Sequence, residues 1–335
     1  MNRKKMIRTM KNILPALSIL LLAACGSQTG SSAKAAEPLE VGVVLSDVGL
    51  GDQSYSDAAF RGLVKARDED GILFDYREIA QTDTYDEAFK QLVLQDNDLI
   101  IGLGYMVKDS LEAAAKTYPD RQFLIVDDTS DLSNVSSITF KEEEGSFLAG
   151  AAAAMSSKTG HIGFLGGVES DLLKKFEMGY EQGAQSIDPQ IQLKAVYAGD
   201  FGKAELGASL AASMMQSDNV DVVYAAAGLT GIGALQEAQK LGKYAIGVDT
   251  DQFFIAEKAV ITSMVKNVDT AIFTAVQTFE QSGGKFPEKN MVFGLKEDGV
   301  GLAPIHVVDL TDQQQKRLEE LRGGLISGEI KIELP

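Results

Sequence analysis

The side chains best suited to gripping a small molecule stand just after short apolar runs. Asp47 follows VGVVL, Gly104 and Tyr105 close LIIGLGY, Asp127 and Asp128 follow FLIV, Gly228 follows VYAAA, and Asp249 and Asp251 follow AIGV. Carboxylates accept O–H and N–H donors, and glycine lets a backbone come close to a ligand. The same residue types also cap the helix that follows a strand, so each one taken singly reads first as a cap, and only their convergence on one cleft favours ligand contact for the set. Catalysis finds less to use. His161 and His306 lie far apart in sequence, and His161 opens an apolar run where a structural role is the simpler reading. No serine with a positioned base is visible. The glycine-rich GLTGIG at 228–233 does not follow the first strand, as a dinucleotide fingerprint requires, and no P-loop occurs. The single cysteine, Cys25, excludes a disulfide framework and the paired-cysteine zinc patterns. Glu142-Glu143-Glu144 reads as a solvated helix face. Neither an enzyme, nor a cofactor, nor a metal is expected.

The elements that must position these residues alternate regularly. Strands are predicted at 39–45, 73–79, 97–104 and 122–128, and helices at 53–70, 84–95 and 107–118. The pattern restarts with strands at 161–166, 191–198, 220–227, 244–249 and 261–266, and helices at 170–186, 203–216, 230–241 and 268–282. This order gives βαβ units with right-handed crossovers, hence an α/β fold of mainly parallel sheets covered on both faces. At an offset of 121, Gly42 aligns with Gly163, Tyr55 with Phe176 and Gly62 with Gly183, which suggests an internal repeat and two similar lobes. In such sheets ligands bind outside the carboxyl ends of the strands, where the polar residues named above would converge from both lobes.

The N-terminus carries an address. Arg3, Lys4, Lys5, Arg8 and Lys11 precede an apolar stretch from Ile13 to Leu22, too short for a bilayer span of about 20 residues. The run Leu22-Ala23-Ala24-Cys25 resembles the bacterial lipobox. It implies removal of signal peptide 1–24, lipidation of Cys25, for example with palmitate, and a flexible tether over 25–38. A signal peptide followed by a buried structural cysteine is the competing reading. Removing 1–24 leaves 26 Lys+Arg against 48 Asp+Glu, which argues against nucleic acid as a partner. About 300 mature residues favour two domains.

Seven stretches carry a family resemblance: GDQSYSDAAFRGL (51–63), VSSITFKEEEGSFLAGAAAA (135–154), TGHIGFLGG (159–167), FEMGYEQG (176–183), GKYAIGVDTDQ (242–252), ITSMVKNVD (261–269) and GLKEDGVGLA (294–303). In this order they resemble the basic membrane protein (Bmp) family, lipoproteins of the PnrA type that bind purine nucleosides for ABC importers. The resemblance implies a type I periplasmic-binding-protein fold with two Rossmann-like lobes. One would comprise 39–139 plus 268–290 and the other 140–267 plus 291–335, joined by hinge crossings near 139, 267 and 291. It implies a purine nucleoside ligand (guanosine, inosine or adenosine), permease and ATPase subunits supplied by other genes, and a lipid-anchored place on the extracytoplasmic face of the cell membrane.

Site residues are carried over by motif. Tyr55 holds the place of a base-stacking aromatic, Ser56 replaces the family's usual Asn, and Phe201 resembles the aromatic on the opposite face. Asp47 and Asp127 resemble carboxylates that recognise base edges, with Asp128 a competitor for the second role. Asp249 resembles the acid that grips vicinal ribose hydroxyls, Lys266 approaches the sugar from the hinge, and Gly228 allows close backbone approach. Core packing for the two aromatics, a surface ion pair for Lys266 and helix capping for Gly228 remain the competing readings. A sugar receptor of the same fold, a regulatory or antigenic surface lipoprotein, and a nucleoside hydrolase are the alternatives at the level of function.

Overall fold

The computed structural model describes residues 37–334; the expected signal peptide, the lipidation site Cys25 and all but the end of the tether lie outside the described residues. The first lobe is built from β1 (Glu40–Val44), α1 (Tyr55–Asp70), β2 (Leu73–Arg77), a single turn α2 (Ile79–Thr82), α3 (Tyr85–Leu94), β3 (Leu99–Leu103), α4 (Lys108–Thr117), β4 (Gln122–Val126) and β5 (Val135–Phe140). The second begins with α5 (Glu142–Ser156) and continues through β6 (His161–Gly166), α6 (Asp171–Gln185), β7 (Gln192–Tyr197), α7 (Ala204–Ser217) and β8 (Val222–Ala226). It is completed by α8 (Gly228–Lys240), β9 (Tyr244–Asp249) and β10 (Val260–Lys266). The chain then returns to the first lobe as α9 (Val268–Gln281) and β11 (Asn290–Phe293), and ends in the second as β12 (Val300–Leu302) and α10 (Asp312–Ser327).

Each lobe holds a six-stranded sheet, ordered β11-β5-β4-β3-β1-β2 in one and β12-β10-β9-β8-β6-β7 in the other. Every pairing is parallel except β12 against β10. The central strands β3 and β8 are buried at every residue, which is why LIIGL and VVYAA read as unbroken apolar runs rather than alternating ones. Local chemistry fixes several helix ends. The Thr84 and Ser170 side chains accept the first-turn N–H groups of Glu87 and Leu173, Thr311 and Gln314 form a capping box on α10, and left-handed Gly71 closes α1.

The suggested repeat is structural. Gly42 and Gly163 fall on β1 and β6, which hold the same place in their sheets. Gly62 and Gly183 sit where α1 meets α9 and α6 meets α5. A Cβ on Gly62 would lie 2.4 Å from the Asp269 carbonyl oxygen, and one on Gly183 1.9 Å from that of Phe147.

Six of these elements were not foreseen: α2, β5, α5, β11, β12 and α10. Helix α5 buries 12 of its 15 residues, so it shows no apolar stripe for a period of 3.6 to reveal. The third crossing is expected near 291. Strand β11 pairs with β5 through Phe293, so the chain leaves the first sheet only after that residue. The first two crossings follow Phe140 and Lys266. No helix among the described residues is long and apolar enough to cross a membrane.

Candidate functional site

A cleft enclosing about 710 Å³ of space, open solvent included, lies between the carboxyl ends of the two sheets. From the first lobe its wall takes the segment after β1 (Ser46, Asp47, Val48, Asp52), the first residues of α1 and α3 (Tyr55, Tyr85), Leu103 at the end of β3 with Gly104 to Met106 after it, and Asp127 after β4. From the second come Leu172, Leu173 and Phe176 of α6, Phe201, Ala226 at the end of β8 with Ala227 and Gly228 after it, Val248 and Asp249 at the end of β9, and Lys266 at the end of β10. Seven of the eight ligand-contact residues expected from sequence therefore share one cavity: Asp47, Tyr55, Asp127, Phe201, Gly228, Asp249 and Lys266.

Ser56 is not brought to the wall. It is fully buried, its hydroxyl lies 2.7 Å from that of Ser46, and its N–H donates to Asp52. Asp128 turns away to pair with Lys108 at 2.8 Å, which leaves Asp127 as the carboxylate of that strand end in the cleft. His161 stands at the start of β6, and His306 stacks on Phe253 at 4.0 Å; neither lines the cavity.

The floor is a buried charge cluster. Lys266 Nζ lies 2.7 Å from Asp127 Oδ1 and 3.0 Å from Glu142 Oε1, with the lysine side chain 2% exposed and that of Glu142 0%. The expectation that Glu142-Glu143-Glu144 is a solvated face is thus wrong. The start of α5 tucks beneath the cleft, so Glu142 meets Lys266, while Glu144 accepts the N–H of Leu295 and pairs with Lys141. Burial pushes Glu142 up to about 7, opposed by Lys266 and reinforced by Asp127. Burial likewise lifts Asp249 to about 6, against the pull of Lys266 and of a hydrogen bond from the Ser54 hydroxyl. Burial works to discharge Lys266, but Asp127, Glu142 and Asp249 outweigh it and hold the ammonium above the ordinary lysine range.

Asp127 and Asp249 occupy equivalent places, at the ends of β4 and β9, and both have left-handed backbones, φ +71° and +64°. Aspartate tolerates this region better than most residues, and strain of this kind gathers where a side chain must be aimed. The segment before α1 is likewise built rather than slack. Asp52 accepts from the N–H groups of Ser54, Ser56 and Asp57, Asp57 from those of Gly51 and Gln53, and Glu78 from that of Leu50.

The aromatic groups face the cleft from both lobes. Tyr55 packs beside Gly104 with Lys266 Nζ 5.3 Å from its ring centre. Phe201 lies against Gly167, where an added Cβ would come within 2.1 Å of the ring. Among the described residues no ring contact joins Tyr55 to Phe201. The hydroxyls of Tyr55, Tyr85 and Tyr105 are buried at the wall without a well-aligned hydrogen-bond partner. Such groups are costly unless something supplies the missing bonds. Burial accordingly lifts all three phenols. Tyr85, Asp52, Phe176 and Glu142 were missed as site residues. Phe176 could have been found, since the repeat aligns it with Tyr55; Glu142 carries no local signal.

Three comparisons bear on this geometry. Residues 39–333 match the family model Bmp, described as ABC transporter substrate-binding protein PnrA-like. The chain is 32% identical to the "ABC transporter nucleoside-binding protein BmpA" of Lactococcus lactis subsp. cremoris, over 94% of this chain and 95% of that protein. It is 36% identical to "Basic membrane protein A" of Borreliella burgdorferi, over 91% of each. A crystal structure of an ABC transporter solute-binding protein from Aeropyrum pernix K1 superposes with a TM-score of 0.79 at 26% identity, covering 89% of this chain and 94% of that one. With paired parallel sheets, a cleft at their carboxyl ends and a family match along nearly the whole described chain, this protein belongs to the Bmp family of PnrA-like ABC transporter substrate-binding proteins.

Proposed function

We propose that the chain is the extracytoplasmic receptor of an ABC importer and that its ligand is a nucleoside, with purine nucleosides preferred. The observation that carries this reading is the composition of one cavity wall: aromatic rings from opposite lobes, Tyr55 and Phe201, above a floor with Asp249 and Lys266. Rings present apolar faces to a planar base. A buried carboxylate with free acceptor capacity suits a pair of neighbouring ribose hydroxyls, and an ammonium offers them a donor. The Lactococcus relative, named a nucleoside-binding protein, supports the same ligand class. In this reading Asp47 and Asp127 take base-edge N–H donors, and Gly228, with φ +54°, lets the backbone approach the ligand. The receptor performs no chemistry; ligand touching both lobes favours the closed state, which permease and ATPase subunits then read.

The lipobox-like Leu22–Cys25 supports anchoring through acylated Cys25, with two or more chains needed for stable attachment. Attachment is checked by membrane fractionation of the native chain beside Cys25→Ser.

The test of the ligand is a thermal-shift and calorimetric panel of inosine, guanosine, adenosine, cytidine and ribose, with mass spectrometry of small molecules released from the purified protein. Purine nucleosides are expected to raise the unfolding midpoint by several degrees and ribose to leave it unchanged. Equal stabilisation by ribose would assign a sugar receptor, and no stabilisation by any nucleoside would overturn the reading in favour of a regulatory or antigenic role.

A further inference from the structure

Glu142 does not line the cleft, yet it is fully buried directly behind a residue that does. It is the first residue of α5, immediately after the chain crosses out of the first sheet, while Lys266 ends β10, immediately before the chain crosses back. Their ion pair therefore joins two crossings within the second lobe. Asp127, the other partner of Lys266, belongs to the first. The rings of Phe140, Tyr55 and Phe176 have their centres 4.8, 5.3 and 5.8 Å from the ammonium, and those of Tyr55 and Phe176 also line the cleft. An ammonium has three N–H groups. Its ion pairs with Asp127 and Glu142 call on at most two of them, which leaves one for the cavity that Lys266 lines.

We propose that Glu142 is a positioning residue of the cleft: its carboxylate, working through Lys266, holds the ammonium on the second lobe with one N–H free for the ligand. Without Glu142 the ammonium is drawn to Asp127 alone, and its place then depends on where the first lobe stands. The inference rests on the reading of the cleft as a nucleoside site with Lys266 as a ligand donor.

The groups around Glu142 define how it responds to pH. Lys266 and Lys175 approach its two oxygens at 3.0 and 3.7 Å, and Asp127 opposes its charge. Asp249 shares Lys266 with it, and the nearby phenols of Tyr55 and Tyr224 are both pushed far above neutrality by burial. With Glu142 raised to about 7, its ionised form is lost as the pH falls through neutrality, before that of Asp249 at about 6. Positioning should fail in the same range.

Isothermal titration of the full-length protein with inosine, from pH 6.5 to 8.5, tests the proposal. At pH 8.5, Glu142→Gln is expected to weaken inosine binding about tenfold, while the thermal midpoint of the free protein stays within a few degrees of wild type. Wild-type affinity should fall toward that of the variant on going to pH 6.5, whereas the variant's profile stays flat. In a Lys266→Met background, Glu142→Gln should cost nothing further. Unchanged affinity in Glu142→Gln, or an additional loss in the Lys266→Met background, overturns the inference and leaves the nucleoside reading standing. Should Glu142→Gln not fold, a flat wild-type profile between pH 6.5 and 8.5 overturns it instead. Absence of inosine binding by the wild type at every pH removes the nucleoside reading, and this inference with it.

Discussion

At the scale of single residues the cleft trades stability for binding. Asp249 is held at φ +64° at the end of β9 with its carboxyl buried beside two other acids. Its folded-state pKa of about 6 stands above the ordinary value of 3.8, so the native protein holds this proton more tightly than the unfolded chain does. The stability it contributes is therefore present at low pH and lost as the pH rises through about 6. Above that point an ionised, buried aspartate burdens the free protein, and a neutral amide relieves the burden. Asp249→Asn is expected to leave the free protein's thermal midpoint at pH 7.5 equal to or above that of wild type, with any gain vanishing near pH 4. The same variant should weaken purine nucleoside binding by about 100-fold, because charge-assisted acceptors are lost. Thermal shifts with and without ligand, read at both pH values, check the two halves separately.

At the scale of elements the site is positioned by helices that approach more closely than side chains normally allow. In the α5–α6 pair an added Cβ on Gly150 would stand 1.9 Å from the Tyr180 carbonyl oxygen, and one on Gly183 the same distance from that of Phe147. In the α7–α8 pair Gly207 and Gly233 each leave only 1.8 Å to the backbone oxygens of Thr230 and Ala204. The glycines of GLTGIG, poor as a nucleotide fingerprint, thus earn their place partly as helix contacts. The obstacle is backbone, which cannot rotate aside, so Gly150→Ala and Gly183→Ala should each destabilise the protein by at least about 3 kcal/mol in urea unfolding. Gly323→Ala, in α10 with nothing within 4 Å of the added methyl, should instead stabilise by about 0.5–1 kcal/mol. Strands and helices flanking these contacts were legible in the sequence to within about two residues, because their periods are local. Helix α5 was not, because burial on every side erases the period, and its buried Glu142 looks in sequence like any solvated acid.

At the scale of the whole molecule the lobes already touch across the cleft. The Gln53 carbonyl accepts from the Thr250 hydroxyl and the Gln252 side-chain amide at 3.3 Å each, and the Ser54 hydroxyl donates to Asp249. These bonds stabilise closure independently of ligand, at about 1 kcal/mol each. The double variant Ser54→Ala with Thr250→Val should shift the free protein toward an open form, with a larger radius of gyration in solution scattering and nucleoside affinity reduced about 3- to 30-fold. Unchanged scattering and affinity would mean that ligand alone closes the cleft. The sequence by itself determined the alternation of strands and helices, the repeat and the polar residues at strand ends, since each of these is written in neighbouring residues. It also identified Tyr55, Asp127, Phe201, Asp249 and Lys266 as candidates, through local motifs. Only the tertiary structure decided that Ser56 turns inward to Ser46, that Asp128 leaves the cleft to Asp127, and that Glu142 lies buried against Lys266. Those outcomes depend on which segments meet after the chain has crossed between the lobes, and no spacing along the chain encodes that meeting.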